Sequence, residues 1–295
     1  MLKNLCAGAV LSVLLIGGAH AQTYPTQPVR IVHGFAAGGN ADTISRMIAE
    51  PLSNMLGQPF VVEPRPGAGG NVGSDFVANA DPDGHTLVLL TGGHTVSGAL
   101  YRSLEFDAVE DFTFVNRVSH FPFFVAVKQG TFENIEALIA AAHDGGRIRY
   151  GSAGVGSTQH LTGELLGRET GSNFLHIPYR GDAGAVTALL GGEVDMIVSA
   201  GTSVIGQAEA GELELLAVSW QQPWPETPDV PTLSDTVAPG FDVFSWTGLA
   251  APAGLPDEIT EQLASALDGI LADSGIEQRL LTLGALPGAM PSSEF

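Results

Sequence analysis

The 295-residue sequence contains one cysteine, Cys6, and two lysines, Lys3 and Lys128. Cys6 precedes the apolar run of residues 9–16, whereas a lipoprotein cysteine would follow it. With Lys3 as the positive start, that run as the apolar centre and Ala19-His-Ala21 as a small-x-small cleavage site, residues 1–21 read as a signal peptide. Cleavage after Ala21 predicts an exported mature chain without any thiol. Such a chain has no disulfide, no thiolate metal site and no cysteine nucleophile. Basic residues are scarce, 12 Lys and Arg against 32 Asp and Glu, for a formal net charge of −20. That balance argues against nucleic acid and anionic lipid as partners. No second apolar stretch of membrane length occurs, and residues 9–16 are too few to anchor in a bilayer. No histidine pair has metal-ligand spacing, so His33, His85, His94, His120 and His176 read as single packed side chains. No lysine follows a glycine-rich loop, and Gly67-Ala-Gly-Gly-Asn-Val-Gly73 misses the dinucleotide fingerprint by one residue. No cofactor and no metal are expected.

Glycine, by contrast, is abundant, with 38 residues, and it is placed with a pattern. Residues 29–35 form an apolar strand, Ala36-Ala-Gly-Gly-Asn-Ala-Asp42 a glycine loop, and residues 43–56 a helix with Ile44, Ile48, Leu52 and Leu56 on one face. Asn40 or Asp42 is the expected cap and Gly57 the stop, while Pro51 should kink the helix or leave a carbonyl unpaired. The order then repeats: strand 60–63, loop Pro64-Arg-Pro-Gly-Ala-Gly-Gly70, and a helix from Asn71. Glycine lets the backbone approach a ligand, and a helix start offers unpaired N–H groups with partial positive charge. Two such units side by side predict an anion-accepting cleft at the strand ends of an α/β sheet.

Strand 86–90 ends at Thr91-Gly-Gly-His94, and residues 112–127 read as one long extended segment. A second series follows: helix 135–142, strand 148–150, loop Gly151-Ser-Ala-Gly-Val-Gly156, a helix to residue 166 capped by Ser157 or Thr158, strand 174–178, loop Tyr179-Arg-Gly-Asp182 and helix 183–190. Strands 194–198, the former ending at Ser199-Ala-Gly-Thr202, and 213–219 precede a proline-rich stretch at 223–239. A strand-like return at 241–250 and helices from Asp257 complete the chain. Alternating strands and helices predict an α/β fold with parallel sheets. The two extended crossings predict two α/β lobes with a ligand cleft between them. Lobe 1 is expected over residues 22–120 plus 245–295 and lobe 2 over 121–244, an arrangement suited to hinge closure.

Several residues carry alternative readings. Ser157 is a helix cap or a nucleophile, but it lacks the flanking glycine of a nucleophile elbow, and His160 three positions on does not make a triad. Asp42 and Asp182 cap their own helices or accept a hydrogen bond from an amino or hydroxyl group of a ligand. Arg65 and Arg180 clamp a carboxylate, or else Arg65, between Pro64 and Pro66, is structural and Arg180 pairs at the surface or between the lobes. Phe35 packs on a ligand's carbon body or closes the core.

Certain strings resemble the extracytoplasmic solute receptors of tripartite tricarboxylate transporters, the Bug family. They are Tyr24-Pro-Thr-Gln-Pro-Val-Arg30, Phe35-Ala-Ala-Gly-Gly-Asn-Ala-Asp42, Arg65-Pro-Gly-Ala-Gly-Gly-Asn-Val-Gly73, Pro82-Asp-Gly84, Tyr150-Gly-Ser-Ala-Gly-Val-Gly-Ser-Thr-Gln-His-Leu161, Pro178-Tyr-Arg-Gly-Asp182 and Leu189-Leu-Gly-Gly-Glu-Val-Asp195. The resemblance implies a two-lobed periplasmic-binding-protein fold, type II-like, that delivers a small organic acid to membrane permease subunits and has no enzymatic activity. It implies that one ligand carboxylate meets Phe35, Ala37, Gly38, Gly39 and Asp42, with Gly69, Gly70 and Thr91 alongside. The far end would meet Ser157, Thr158, Gln159, Gly181, Asp182 and Thr202. A monomer is expected. Gly34 and Ala37 stand where the family often has proline, His85 where it has tyrosine, and the sequence ends at Phe295 where relatives continue into a final helix; a looser first loop and one missing covering element follow as expectations. A secreted hydrolase using Ser157, and a sensor feeding a signalling kinase, remain the competing functions at this level.

Overall fold

The computed structural model describes residues 24–143, 146–290 and 294–295, so the expected signal peptide lies outside the described residues. The first sheet starts with β1 (Val29–His33), β2 (Phe60–Pro64) and β3 (Thr86–Thr91), linked by α1 (Asn40–Leu56) and α2 (Asn71–Ala78). These strands run parallel in the order β2-β1-β3. After α3 (Gly93–Leu100) comes β4 (Phe112–Lys128), which belongs to both sheets. The second sheet adds β5 (Ile148–Ser152), β6 (Phe174–Pro178), β7 (Met196–Ala200) and β8 (Leu213–Val218). Its helices are α4 (Ile135–His143), α5 (Thr158–Thr170), α6 (Asp182–Leu190) and α7 (Gly201–Glu209). The chain returns through β9 (Phe244–Pro252) and ends in α8 (Asp257–Leu271), α9 (Ser274–Thr282) and β10 (Leu286–Pro287).

The sheets are mixed rather than parallel throughout. β5 is parallel to β6 and β7, but β9 is antiparallel to β3 and β4, and β4 is antiparallel to β7 and β8. A strand that returns directly beside its neighbour needs no crossover helix, which is why the two extended crossings pair antiparallel. β4 pairs with β9 over its first half, with register shifts between Phe114 and Asn116 and between Arg117 and Ser119, then enters the second sheet at Phe123. Shifts of this kind sharpen the local twist and re-aim the strand between the sheets. Ser219 ties the crossings together. Its Oγ accepts from the Phe123 amide at 2.8 Å and donates to the Val243 carbonyl at 2.6 Å.

The main core runs along both sheets. Ile44, Ile48 and Leu52 of α1 meet Leu263 and Leu267 of α8 over the first sheet, and Val125, Leu138, Tyr150 and Leu166 continue it in the second. A second cluster, with Phe124, Leu189, Ile197, Val204 and Trp224, is joined by Leu281 and Leu286 from the C-terminal segment. The Trp224 indole N–H also donates to the Leu281 carbonyl at 3.0 Å, so this C-terminal segment packs on elements of the second sheet.

Two local expectations change. α1 is preceded by Gly39 with no side-chain cap, and neither Asn40 nor Asp42 caps it; Gly57 ends it in the left-handed conformation as anticipated. The helix continues through Pro51 to Leu56 as one element, and Pro51, as expected, offers no N–H to the Met47 carbonyl one turn back. α3 and α7 have no counterpart in the sequence reading, because Gly93, Gly98, Gly201 and Gly206 lower their intrinsic helix preference and tertiary packing decides their state.

Candidate functional site between the sheets

The two glycine loops of the first sheet interlock. A side chain on Gly34 would place its Cβ 2.1 Å from the Gly70 carbonyl oxygen, so only glycine permits this approach. The loop before α1 is held from behind by Asp42. Its carboxylate accepts from the Gly38 amide at 3.0 Å, from Arg46 Nε and Nη2 at 3.0 Å each and from His33 Nε2 at 3.2 Å. Burial alone would raise the Asp42 carboxyl, but the hydrogen bonds from Arg46, Gly38 and His33 outweigh it and hold it below the ordinary carboxylate range. Burial lowers the His33 imidazole, which is neutral and carries its proton on Nε2, since a carboxylate only accepts.

On the opposite side, Ser157 is the N-cap of α5. Its Oγ accepts from the His160 amide at 3.2 Å and donates to the Gly154 carbonyl at 2.7 Å. His160 Nδ1 accepts from the Gly156 amide at 3.3 Å, so serine and histidine do not form a nucleophile–base pair. Asp182, the first residue of α6, is buried. Its Oδ1 accepts from Gln159 Nε2 and from Ser199 Oγ, both at 3.0 Å, and its carboxylate also receives the Asn40 amide. Burial pushes the Asp182 carboxyl up, against the lowering effect of those donors.

The sides touch across the cleft. The Ala36 amide donates to the Arg180 carbonyl at 2.7 Å, Thr202 Oγ1 to Asn40 Oδ1 at 2.9 Å, and Tyr101 OH to the Val155 carbonyl at 3.0 Å; Thr158 and Ser245 hydroxyls lie 3.2 Å apart. Behind these contacts is a nearly closed cavity of ≈ 10 Å³ lined by Phe35, Asn40, Ala41, Thr91, Phe121, Thr158, Gln159, Asp182 and Ser245. A neighbouring cavity, also ≈ 10 Å³, shares Phe35 and Thr91 and adds Gly34, Gly69, Gly70, Asn71, Ser74 and His94. No lysine or arginine lines either cavity. First-turn residues of three helices, α1, α5 and α6, converge on the first cavity. They bring together amide-rich, partially positive helix starts beside an apolar wall of Phe35 and Phe121; with the two sides in contact the space admits about one water, and a larger guest enters only when the sides part.

Of the residues singled out from sequence, Phe35, Thr91, Thr158, Gln159 and Asp182 line this cavity and Gly69 and Gly70 line its neighbour. The rest stand behind or beside it. Ala37 and Gly38 are on the outer surface of the loop, and Gly39 packs with its α-carbon side against Asp182. Asp42 faces His33 and Arg46, Ser157 turns back to Gly154, Gly181 packs on Ala36, and Thr202 bonds Asn40. Arg65 pairs with Glu63 at 2.6 Å and lies 3.5 Å over the Phe76 ring, while Arg180 is exposed. Four lining residues escaped the sequence reading: Asn40, Ala41, Phe121 and Ser245. Asn40 and Ala41 open α1 directly after the glycine pair and were legible as its neighbours; Phe121 and Ser245 reach the site only through the pairing of β4 with β9.

Residues 44–293 match the model of the tripartite tricarboxylate transporter family receptor. The chain is 35% identical over 294 residues to the "UPF0065 protein in the TAR-I ttuE-ttuC' intergenic region" of Agrobacterium vitis, covering 98% of this chain and 84% of that relative. Among solved structures, the periplasmic binding protein BugD is similar at 34% identity and TM-score 0.85, over 92% of this chain and 90% of that one. R. palustris Rpa4515, solved with adipate, is similar at 32% identity and TM-score 0.89, over 92% and 91%. The order of strands and glycine loops, the mixed sheets joined by β4 and the match over most of the chain lead to one conclusion: this chain belongs to the tripartite tricarboxylate transporter receptor family and has the two-lobed α/β fold of periplasmic binding proteins.

Proposed function

We propose that the mature chain, cleaved after Ala21, works in the periplasm as a monomeric receptor that closes two lobes on a small carboxylate-bearing metabolite and presents it to membrane permease subunits. Lobe 1 is assigned to residues 22–120 and 245–295 and lobe 2 to 121–244, with the exchange between them at the Ser219 junction. The supporting observation is the convergence of the α1, α5 and α6 starts on a cavity that no lysine or arginine lines. The adipate held by Rpa4515 supports the same ligand class. In this reading the amides of Phe35 and Ala41 receive the carboxylate, while that of Asn40 holds Asp182; Phe35 and Phe121 pack on the guest's carbon chain, and Thr158, Gln159 and Ser245 meet the far end. Gly69 and Gly70 shape the adjoining wall. Ala37, Gly38, Gly39, Asp42, Ser157, Gly181 and Thr202 hold the loops that carry these groups.

Each helix start contributes roughly 0.3–1 kcal/mol to holding an anion. Micromolar affinity needs about 8 kcal/mol, so direct hydrogen bonds and exclusion of water on closure must supply most of it. A thermal-shift screen of the mature protein against small organic acids, neutral sugars and organic bases tests this directly. A ligand that binds only the folded state raises the melting point. At least one acid is expected to raise it; a shift by sugars or bases alone would reject the carboxylate reading.

A further inference from the structure

One acid is already built into the cavity wall, and four donors, Gln159 Nε2, Ser199 Oγ and the amides of Asn40 and of Asp182 itself, favour its ionised form against the burial that pushes it up. The Asp182 carboxylate is 5% exposed and receives Gln159 Nε2 and Ser199 Oγ at 3.0 Å each. It also receives the amide of Asn40, the first residue of α1, across the cleft. The helix starts that could neutralise a second guest carboxylate therefore already hold a carboxylate of the chain itself. No lysine or arginine lines the cavity to offset another charge, and Arg180, two residues away in sequence, is exposed and contributes only its carbonyl to Ala36. A guest with acids at both ends would bring two like charges together in a dry space, where Coulomb repulsion is weakly screened. A hydroxyl or ammonium group at the same end would instead be drawn by the Asp182 charge and find hydroxyl acceptors in Thr158 and Ser245.

We propose that Asp182 is a specificity-determining residue: it excludes a second anionic group from the lobe 2 end of the cavity and admits a hydrogen-bond donor there. The receptor thus favours monocarboxylates carrying a hydroxyl or amino group at the far end over dicarboxylates of equal length. This inference rests on the carboxylate reading of the cleft.

The test is titration calorimetry of the mature protein with length-matched pairs: 4-aminobutyrate and 4-hydroxybutyrate against succinate, 5-aminopentanoate against glutarate, and 6-hydroxyhexanoate against adipate. In the wild type the donor-ended acid of at least one pair is expected to bind at least tenfold more tightly than its diacid. Asp182→Asn keeps the shape and removes the charge, and it should move that ratio at least tenfold toward the diacid. Ser199→Ala removes one of the donors to Asp182 and leaves the carboxyl in place, so it should move the ratio in the same direction by a smaller factor. A wild-type preference for diacids, an unchanged ratio in Asp182→Asn, or an equal shift in Ser199→Ala overturns the proposal, and the wild-type ranking decides even if Asp182→Asn fails to fold. The first of these results leaves the carboxylate reading standing, whereas a wild type that binds none of these acids and no other organic acid defeats both.

Discussion

At the scale of single residues, glycine and two acids set what the cleft can be. Gly69 has φ +65, and a Cβ there would lie 2.4 Å from the Val155 carbonyl oxygen on the other side of the cleft. Gly69→Ala is therefore expected to cost roughly 1–2 kcal/mol for the left-handed backbone and, in addition, to prop the lobes apart. Ligand affinity should fall at least tenfold while the melting point drops only modestly; calorimetry beside thermal unfolding separates the two, and unchanged affinity would contradict the closure geometry. Ser157→Ala should cost about 1 kcal/mol of stability through loss of the α5 cap, measured by urea denaturation. The glycine loops and Ser157's capping role were legible because each follows from local backbone needs. The pairing of Asp42 with His33 was not, since β1 and α1 bring these side chains together only in three dimensions. Asp182 was legible as a candidate but not as a buried acid, because its donors Gln159, Ser199 and Asn40 come from three other elements.

At the scale of elements, long periodic segments announced themselves and glycine-containing helices did not. The 17-residue strand β4 was readable from its aromatic and β-branched content, and β6 matches its expected bounds of residues 174–178. Strand direction was not readable, as pairing partners lie far apart along the chain: β9 meets β4 across more than a hundred residues. The junction of these crossings rests on Ser219, which is 1% exposed and bonds both segments. Ser219→Ala leaves the Phe123 amide without this buried acceptor, an expected loss of about 1–3 kcal/mol by urea denaturation. A change below a few tenths of a kcal/mol would show that the junction does not depend on this side chain.

At the scale of the whole molecule, fold class and family were legible because the motifs recur in order along nearly the entire chain, whereas the cavity emerges only when both sheets face each other. Stability should also respond to pH as a property of the whole chain. Burial lowers His33, His94, His120, His160 and His176 from the usual 6.5, and His176, stacked on His160, is pushed down to about 4. A histidine with a depressed folded pKa takes up its proton first in the unfolded chain, so its contribution is present above 6.5 and is lost as pH falls through the folded value. Asp42 and Asp195 extend the loss below 3.8, while the raised Asp182 opposes it. The melting temperature is expected to fall steadily from pH 7 to pH 4; a flat or rising profile would contradict buried neutral histidines. The most direct test of the central claim is calorimetric titration of the mature protein with the acid that stabilises it most, beside the uncharged methyl ester of that acid. One-to-one binding of the acid, weakened at least tenfold by esterification, is the expected result. Equal affinity for the ester, or heat from neither, would contradict a cleft built to hold a carboxylate on converging helix starts.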